Sequence, residues 1–159
     1  MHRRAHIAIP ALAAALFTGA VALAAPATPG ALPQVEVYKT PYCGCCGAWV
    51  THLQQAGFSV KVQEVEDLTP LRARLGIPEA HASCHSAKIG SYVLEGHVPA
   101  DDVKRLLEEK PQALGLAVPA MPAGAPGMDV PPEHAQAYAT LLLRRDAPAQ
   151  VYVQHPAGK

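Results

Sequence analysis

Three of the four cysteines in this chain fall within four residues, in Tyr38-Lys39-Thr40-Pro41-Tyr42-Cys43-Gly44-Cys45-Cys46-Gly47-Ala48-Trp49. Cys43 and Cys46 have the C-x-x-C spacing shared by redox dithiols and metal pairs. Cys45 adds a third sulfur that a dithiol switch does not need. The flanking sequence narrows where this cluster can sit. Val35-Glu36-Val37-Tyr38 alternates as a short strand does, Thr40-Pro41 starts a turn, and from Cys46 to Ala56 the residues Trp49, Val50 and Leu53 fall on one helical face, with Gly57 as the stop. The cysteines are therefore expected at a strand-to-helix junction. There the unpaired N–H groups and partial positive charge of a helix N-terminus favour thiolates, as nucleophiles or as ligands.

The order of elements beyond the cluster sets the fold class. Val60, Val62 and Val65 predict a second strand, and Asp67 or Thr69 caps a short helix carrying Leu68, Leu71 and Leu75, with Pro70 in its first turn and Gly76 closing it. Glu79 to Lys88 is a loop by composition and contains Ser83-Cys84-His85-Ser86. Ile89 to Glu95 reads as a third strand, turning at Gly96 into His97-Val98 as a fourth. Asp101 and Asp102 suit the start of a helix that carries Val103, Leu106 and Leu107 and ends at Lys110-Pro111. Leu116 to Pro132, rich in Pro, Ala and Gly and carrying Met121 and Met128, reads as a long loop or flap. Tyr138–Leu143 and Gln150–Val153 around Arg144-Arg145-Asp146 predict a C-terminal β-hairpin. Strand, helix, strand, helix, strand pair, helix describes an α/β sandwich, and C-x-x-C at its first strand-to-helix junction points to a thioredoxin-like architecture.

The N-terminus stands apart from this domain. His2-Arg3-Arg4 followed by an Ala/Leu/Ile-rich run to Ala24 has the charged and apolar regions of a secretory signal peptide, so residues 1–24 are expected to be removed. Residues 25–33 read as a flexible, Pro-rich leader, and residues 34–155 as a single domain. Losing 24 of 159 residues leaves 135, enough for one core. Arg3 and Arg4 leave with the signal, so the 13 Lys+Arg fall to 11 against 13 Asp+Glu, a net charge of −2. No basic face is visible, which argues against nucleic acid and anionic membrane as partners. After export all four cysteines meet an oxidising compartment, where a structural Cys43–Cys46 disulfide is the plainest alternative to a functional site.

Thiolates are soft ligands, and Cys with Met or His selects Cu(I), zinc or iron–sulfur chemistry. Structural zinc favours two separated ligand pairs, whereas closely spaced cysteines suit one Cu(I) or a thiolate-bridged copper cluster. Cys84 is expected to return over the first helix and supply a fourth sulfur, with His85 beside it as ligand or support. Met128 is a thioether candidate for copper. Met121 ranks below it, and His81 and His97 read as ordinary loop histidines. Trp49 and Tyr42 are expected to pack beside the cluster and shield it from water.

Tyr38-Lys-Thr-Pro-Tyr-Cys-Gly-Cys-Cys-Gly with Trp49, then Ser83-Cys84-His85-Ser86-Ala87, Gly90-Ser91-Tyr92 through Glu95-Gly96-His97-Val98-Pro99-Ala100-Asp101, and Met121-Pro-Ala-Gly-Ala-Pro-Gly-Met128 together resemble the exported CopG copper-resistance family. The resemblance covers roughly residues 35–129, in the family's order. It implies a thioredoxin-like domain in the bacterial periplasm that binds copper through Cys43, Cys45, Cys46 and Cys84, which match the family's cysteines one by one. His85 and Met128 match recurring positions, and Ser86 stands where threonine is common. It also implies a role in copper tolerance, by binding copper or changing its redox state, with copper ions as the ligand and a periplasmic copper-handling or redox protein as partner. The alternative reading of the residues is a thiol–disulfide oxidoreductase using Cys43 and Cys46.

Overall fold

The computed structural model describes residues 32–158; the expected signal peptide and all but the last two residues of the leader lie outside them. Seven strands form one sheet in the order β2-β1-β3-β4-β5-β6-β7. Strand β1 (Val35–Lys39) leads through a Thr40–Cys43 turn, in which the Cys43 N–H donates to the Thr40 carbonyl at 3.2 Å, into helix α1 (Gly44–Gln55). Strand β2 (Val60–Glu64) returns parallel to β1, with Val35 beside Val60. Helix α2 (Thr69–Leu75) follows, and the Asp67 carboxylate accepts from the Thr69 N–H at 2.8 Å, satisfying one donor of its first turn.

The next part of the chain differs from the sequence expectation. The segment read as a loop up to Lys88 ends earlier, in a 3-10 turn over Glu79–His81, and strand β3 (His85–Ile89) already begins at the histidine of the Cys-His pair. What reads as a single strand from Ile89 to Glu95 is the end of β3, a turn at Gly90-Ser91, and β4 (Tyr92–Gly96). The polar residues His85, Ser86 and Lys88 hide the strand, because the apolar alternation that marks one is missing where the sheet carries buried polar side chains. His97-Val98 is not a strand but the link to α3 (Ala100–Glu109). Leu116 is not in the flap either: β5 (Gly115–Val118) lies parallel to β4, and the Pro/Gly/Met-rich loop starts only at Pro119. The expected C-terminal hairpin is present as β6 (Tyr138–Leu143) and β7 (Gln150–His155).

Alternation along the strands divides the core between the two faces of the sheet. Val35, Val37, Ala87, Ile89, Leu94, Leu116 and Val118 pack with Trp49, Val50 and Leu53 of α1 and Val103 and Leu106 of α3. Val93, Ala117, Leu143 and Leu114 pack on the other side with Ile77 and Leu75, at the end of α2. The fully buried Trp49, Leu53 and Leu106 each contribute on the order of 1.5–3 kcal/mol by leaving water. The hairpin is tied to α3 by a buried polar cluster. Thr140 Oγ1 donates to Asp102 Oδ2 at 2.5 Å, His155 Nε2 lies 2.9 Å from the same oxygen, and Tyr138 stacks on the His155 ring at 4.5 Å. The directions of the strands put the carboxyl ends of β1, β4 and β5 together with the start of β3. The turn into α1 opens at that same edge.

Candidate metal centre

Lys39, the last residue of β1, pairs with His85, the first of β3, so the chain leaving β1 into the cysteine turn passes directly beside the Cys84-His85 step. The sulfurs of Cys43, Cys45, Cys46 and Cys84 all lie within 4.8 Å of one another. Cys43 and Cys46 are joined as a disulfide, while Cys45 and Cys84 are free thiols. Cys43 Sγ is 3.6 Å from Cys45 Sγ, and Cys46 Sγ is 3.6 Å from the Cys84 carbonyl oxygen. Cys43 is the N-terminal cap of α1 and makes no side-chain capping bond, so the cap itself leaves the first-turn N–H groups without a side-chain acceptor.

A second ligand set shares Cys84. Its sulfur lies 3.3 Å from His85 Nδ1 and 3.0 Å from His97 Nε2, and donor atoms of Cys84, His85 and His97 fit within 4.8 Å. His97 is fully buried, not the solvated loop histidine its sequence context predicts. The sheet register explains the meeting: Ser86 faces Glu95, and continuing that antiparallel register by two residues sets Cys84 opposite His97. Gly96, the last residue of β4, lets the backbone leading into His97 pass close to Ser83 and Val118. Its φ is +70°, and a Cβ there would run into the Val118 carbonyl and come within 2.6 Å of Ser83 Oγ.

Burial decides the protonation of these groups. The Cys84 thiol is pushed up to about 12, first by desolvation and then by the neighbouring Cys45, so it keeps its proton at neutral pH, and a metal held there would have to displace it. Desolvation and then the neighbouring His97 push His85 down to about 3, so its imidazole stays neutral with a lone pair to offer. Its ring lies 4.3 Å from that of Trp49, and its Nε2 has no hydrogen-bond partner among the described residues. Desolvation also lowers His97, against the opposing pull of the Pro126 carbonyl. His97 Nδ1 donates to that carbonyl at 2.8 Å, which fixes the tautomer and turns the Nε2 lone pair toward Cys84.

The Pro/Gly/Met-rich loop covers the start of α1. A Cβ on Gly127 would lie 2.7 Å from the Trp49 nitrogen and 2.8 Å from the Cys45 carbonyl, so only glycine lets the loop approach this closely. Met128 follows it, half-buried, with its N–H bonded to the Ala125 carbonyl at 2.7 Å. Met121 is half exposed. Trp49 is buried beside the cluster and its Nε1–H donates to the Val98 carbonyl at 2.8 Å, whereas Tyr42 is 89% exposed and shields nothing. The turn that delivers Cys43 into the helix points the preceding side chain outward. The sequence pattern assigns no role to Ser83, Arg72 or Glu95, which bracket the Cys84-His85 step. The signal that marks Glu95 is a charged residue in an otherwise apolar strand.

Fold and site together define a mixed α/β protein with a sulfur-rich, imidazole-flanked cluster able to hold a soft metal. The family described as "Protein of unknown function, DUF411" matches residues 81–128, which span Cys84, His85, His97 and Met128. No curated protein matches the sequence. Two solved structures do. "Copper resistance protein copG- Form 1" is 38% identical with a TM-score of 0.73, over 78% of this chain and 98% of that one. "Copper resistance protein copG- Form 2" is 37% identical with a TM-score of 0.74, over 79% and 99%. The chain belongs to the CopG copper-resistance protein family.

Proposed function

We propose that this protein is an exported, periplasmic copper-binding protein that contributes to copper resistance by holding Cu(I) in a thiolate-bridged site. Cys43, Cys45, Cys46 and Cys84 are the sulfur ligands, His85 and Met128 complete the set, and His97 joins through its Nε2. The observation that carries this reading is the convergence of four sulfurs and two buried neutral imidazoles. A zinc site needs only four such donors, whereas surplus bridging sulfurs suit Cu(I). In its reduced dithiol form, which a thiol reductant would have to restore from the disulfide, the Cys43–Cys46 pair also offers two electrons: two thiols reducing two Cu(II) give one disulfide, two Cu(I) and two protons. Copper is then both the ligand and the substrate of the redox change. We read the core as thioredoxin-like, because β2-β1-β3-β4 places a parallel βαβ unit beside an antiparallel pair, with α1 and α3 on one face. We assign residues 1–24 as the signal peptide, 25–33 as the leader and 34–155 as the domain, with a periplasmic copper-handling or redox protein as partner.

Titration of the anaerobically reduced protein with Cu(I), in competition with a chromophoric chelator, tests the assignment. Stoichiometric binding is expected, lost or sharply weakened in Cys45→Ser and Cys84→Ser. Binding that is absent, or unchanged in both variants, refutes it.

A second reading, thiol–disulfide exchange, is favoured by the Cys43–Cys46 disulfide at the α1 N-terminus. Its test is reduction of a disulfide substrate by the metal-free dithiol form. Turnover that persists in Cys45→Ser but not in Cys43→Ser supports exchange over copper binding.

A further inference from the structure

Glu95 is a carboxylate with no solvent exposure, and the groups it holds flank the Cys84-His85 step on both sides. Its Oε1 accepts from the Ser83 N–H at 2.7 Å and from Arg72 Nε–H at 2.8 Å, and its Oε2 accepts from the Ser86 hydroxyl at 2.5 Å. Arg72 gives a second donor, Nη2, to the Ser83 carbonyl. The residue before Cys84 and the residue after His85 are thus fastened to one carboxylate, and that carboxylate stands two positions before His97 on the strand opposite. Ser83 is anchored on its far side as well, its hydroxyl donating to the Ala120 carbonyl at the start of the covering loop.

Net stabilisation alone does not account for the pair, since a buried ion pair is commonly matched or bettered by apolar side chains of similar volume. Burial raises the Glu95 pKa, and Ser86, Ser83 and Arg72 all act in the opposite direction. What the pair supplies that apolar packing does not is direction: four fixed hydrogen bonds tie Arg72 and Glu95 to each other and to Ser83 and Ser86, the residues on either side of Cys84-His85. Arg72 and Glu95 are not among the Cys and His groups that approach one another at the centre, so they act through those residues.

We propose that Glu95 and Arg72 are positioning residues for the metal centre, setting the spacing of Cys84, His85 and His97 from the face of the sheet that carries α2. This rests on the reading of the cluster as a copper site. The test compares wild type with Glu95→Gln, which keeps the shape but removes the charge, by Cu(I) competition titration and by the thiolate-to-metal and d–d absorption bands of the Co(II)-loaded protein. Glu95→Gln is expected to keep the Cu(I) stoichiometry, to weaken affinity by about 10–100-fold, and to shift the Co(II) bands. A folded Glu95→Gln protein with wild-type affinity and wild-type bands overturns the proposal. If Glu95→Gln does not fold, Ser86→Ala carries the test: it removes one donor, and unshifted Co(II) bands in that variant overturn the proposal equally. Wild-type protein that binds neither metal instead refutes the copper reading, a result separate from wild-type binding that the variants leave untouched.

Discussion

Replacing His85 with phenylalanine isolates the cost of keeping one imidazole neutral inside the sheet. In the folded protein His85 is held down to about 3, chiefly by desolvation, while in the unfolded chain it returns to the ordinary value of 6.5. The folded value lies below the unfolded one, so as pH falls through 6.5 the unfolded chain takes up a proton that the native protein refuses. Stability is therefore lost as pH falls from 6.5, and the loss stops near 3. One proton difference is worth about 1.4 kcal/mol per pH unit, which amounts to roughly 5 kcal/mol across the whole window as an upper bound and about 2 kcal/mol between pH 6.5 and about pH 5. The upper part of the window is the useful one, because most carboxylates titrate below it. His97 and His52 are also lowered by burial and add to the wild-type slope, so the difference between the proteins is the quantity to read. Phenylalanine suits the site because His85 Nε2 has no partner to lose and the ring can keep its place against Trp49. Urea unfolding of both metal-free proteins from about pH 7 to about pH 5 should give a slope shallower in His85→Phe by close to one proton. Parallel slopes would refute the claim that burial keeps this imidazole neutral.

Gly96→Ala should destabilise the protein by more than about 2 kcal/mol in urea unfolding, because the left-handed backbone disfavours a side chain and the new methyl group meets Ser83 Oγ and the Val118 carbonyl. Thr140→Val keeps the shape of a fully buried residue but removes a donor from Asp102, and should cost about 1–3 kcal/mol in a thermal or urea melt; an unchanged melt would show that the hairpin clasp carries no stability.

The local features of this chain were readable because their causes are local. Val35-Glu36-Val37-Tyr38, the Trp49, Val50 and Leu53 face and the hairpin repeat within a few residues, and α1 begins at Gly44, two residues before the expected Cys46. The start of β3 escapes the hydrophobic period because His85 and Ser86 are polar residues in a buried strand, and the run from Ile89 to Glu95 does not show the turn that divides β3 from β4. Asp102, Thr140 and His155 meet across three elements, and no spacing in the chain announces it.

The crowding of Cys43, Cys45 and Cys46 is a property of the sequence alone, since three thiols within four residues converge in any fold that turns from strand to helix there, and their softness already selects the class of metal. The tertiary structure decided which distant groups join them. Cys84 faces His97 because of an antiparallel register, Glu95 and Arg72 grip the backbone on either side of Cys84-His85, and desolvation holds the thiol protonated and the imidazoles neutral. Register, convergence and dielectric arise only when separate segments pack, so the linear order of residues does not display them.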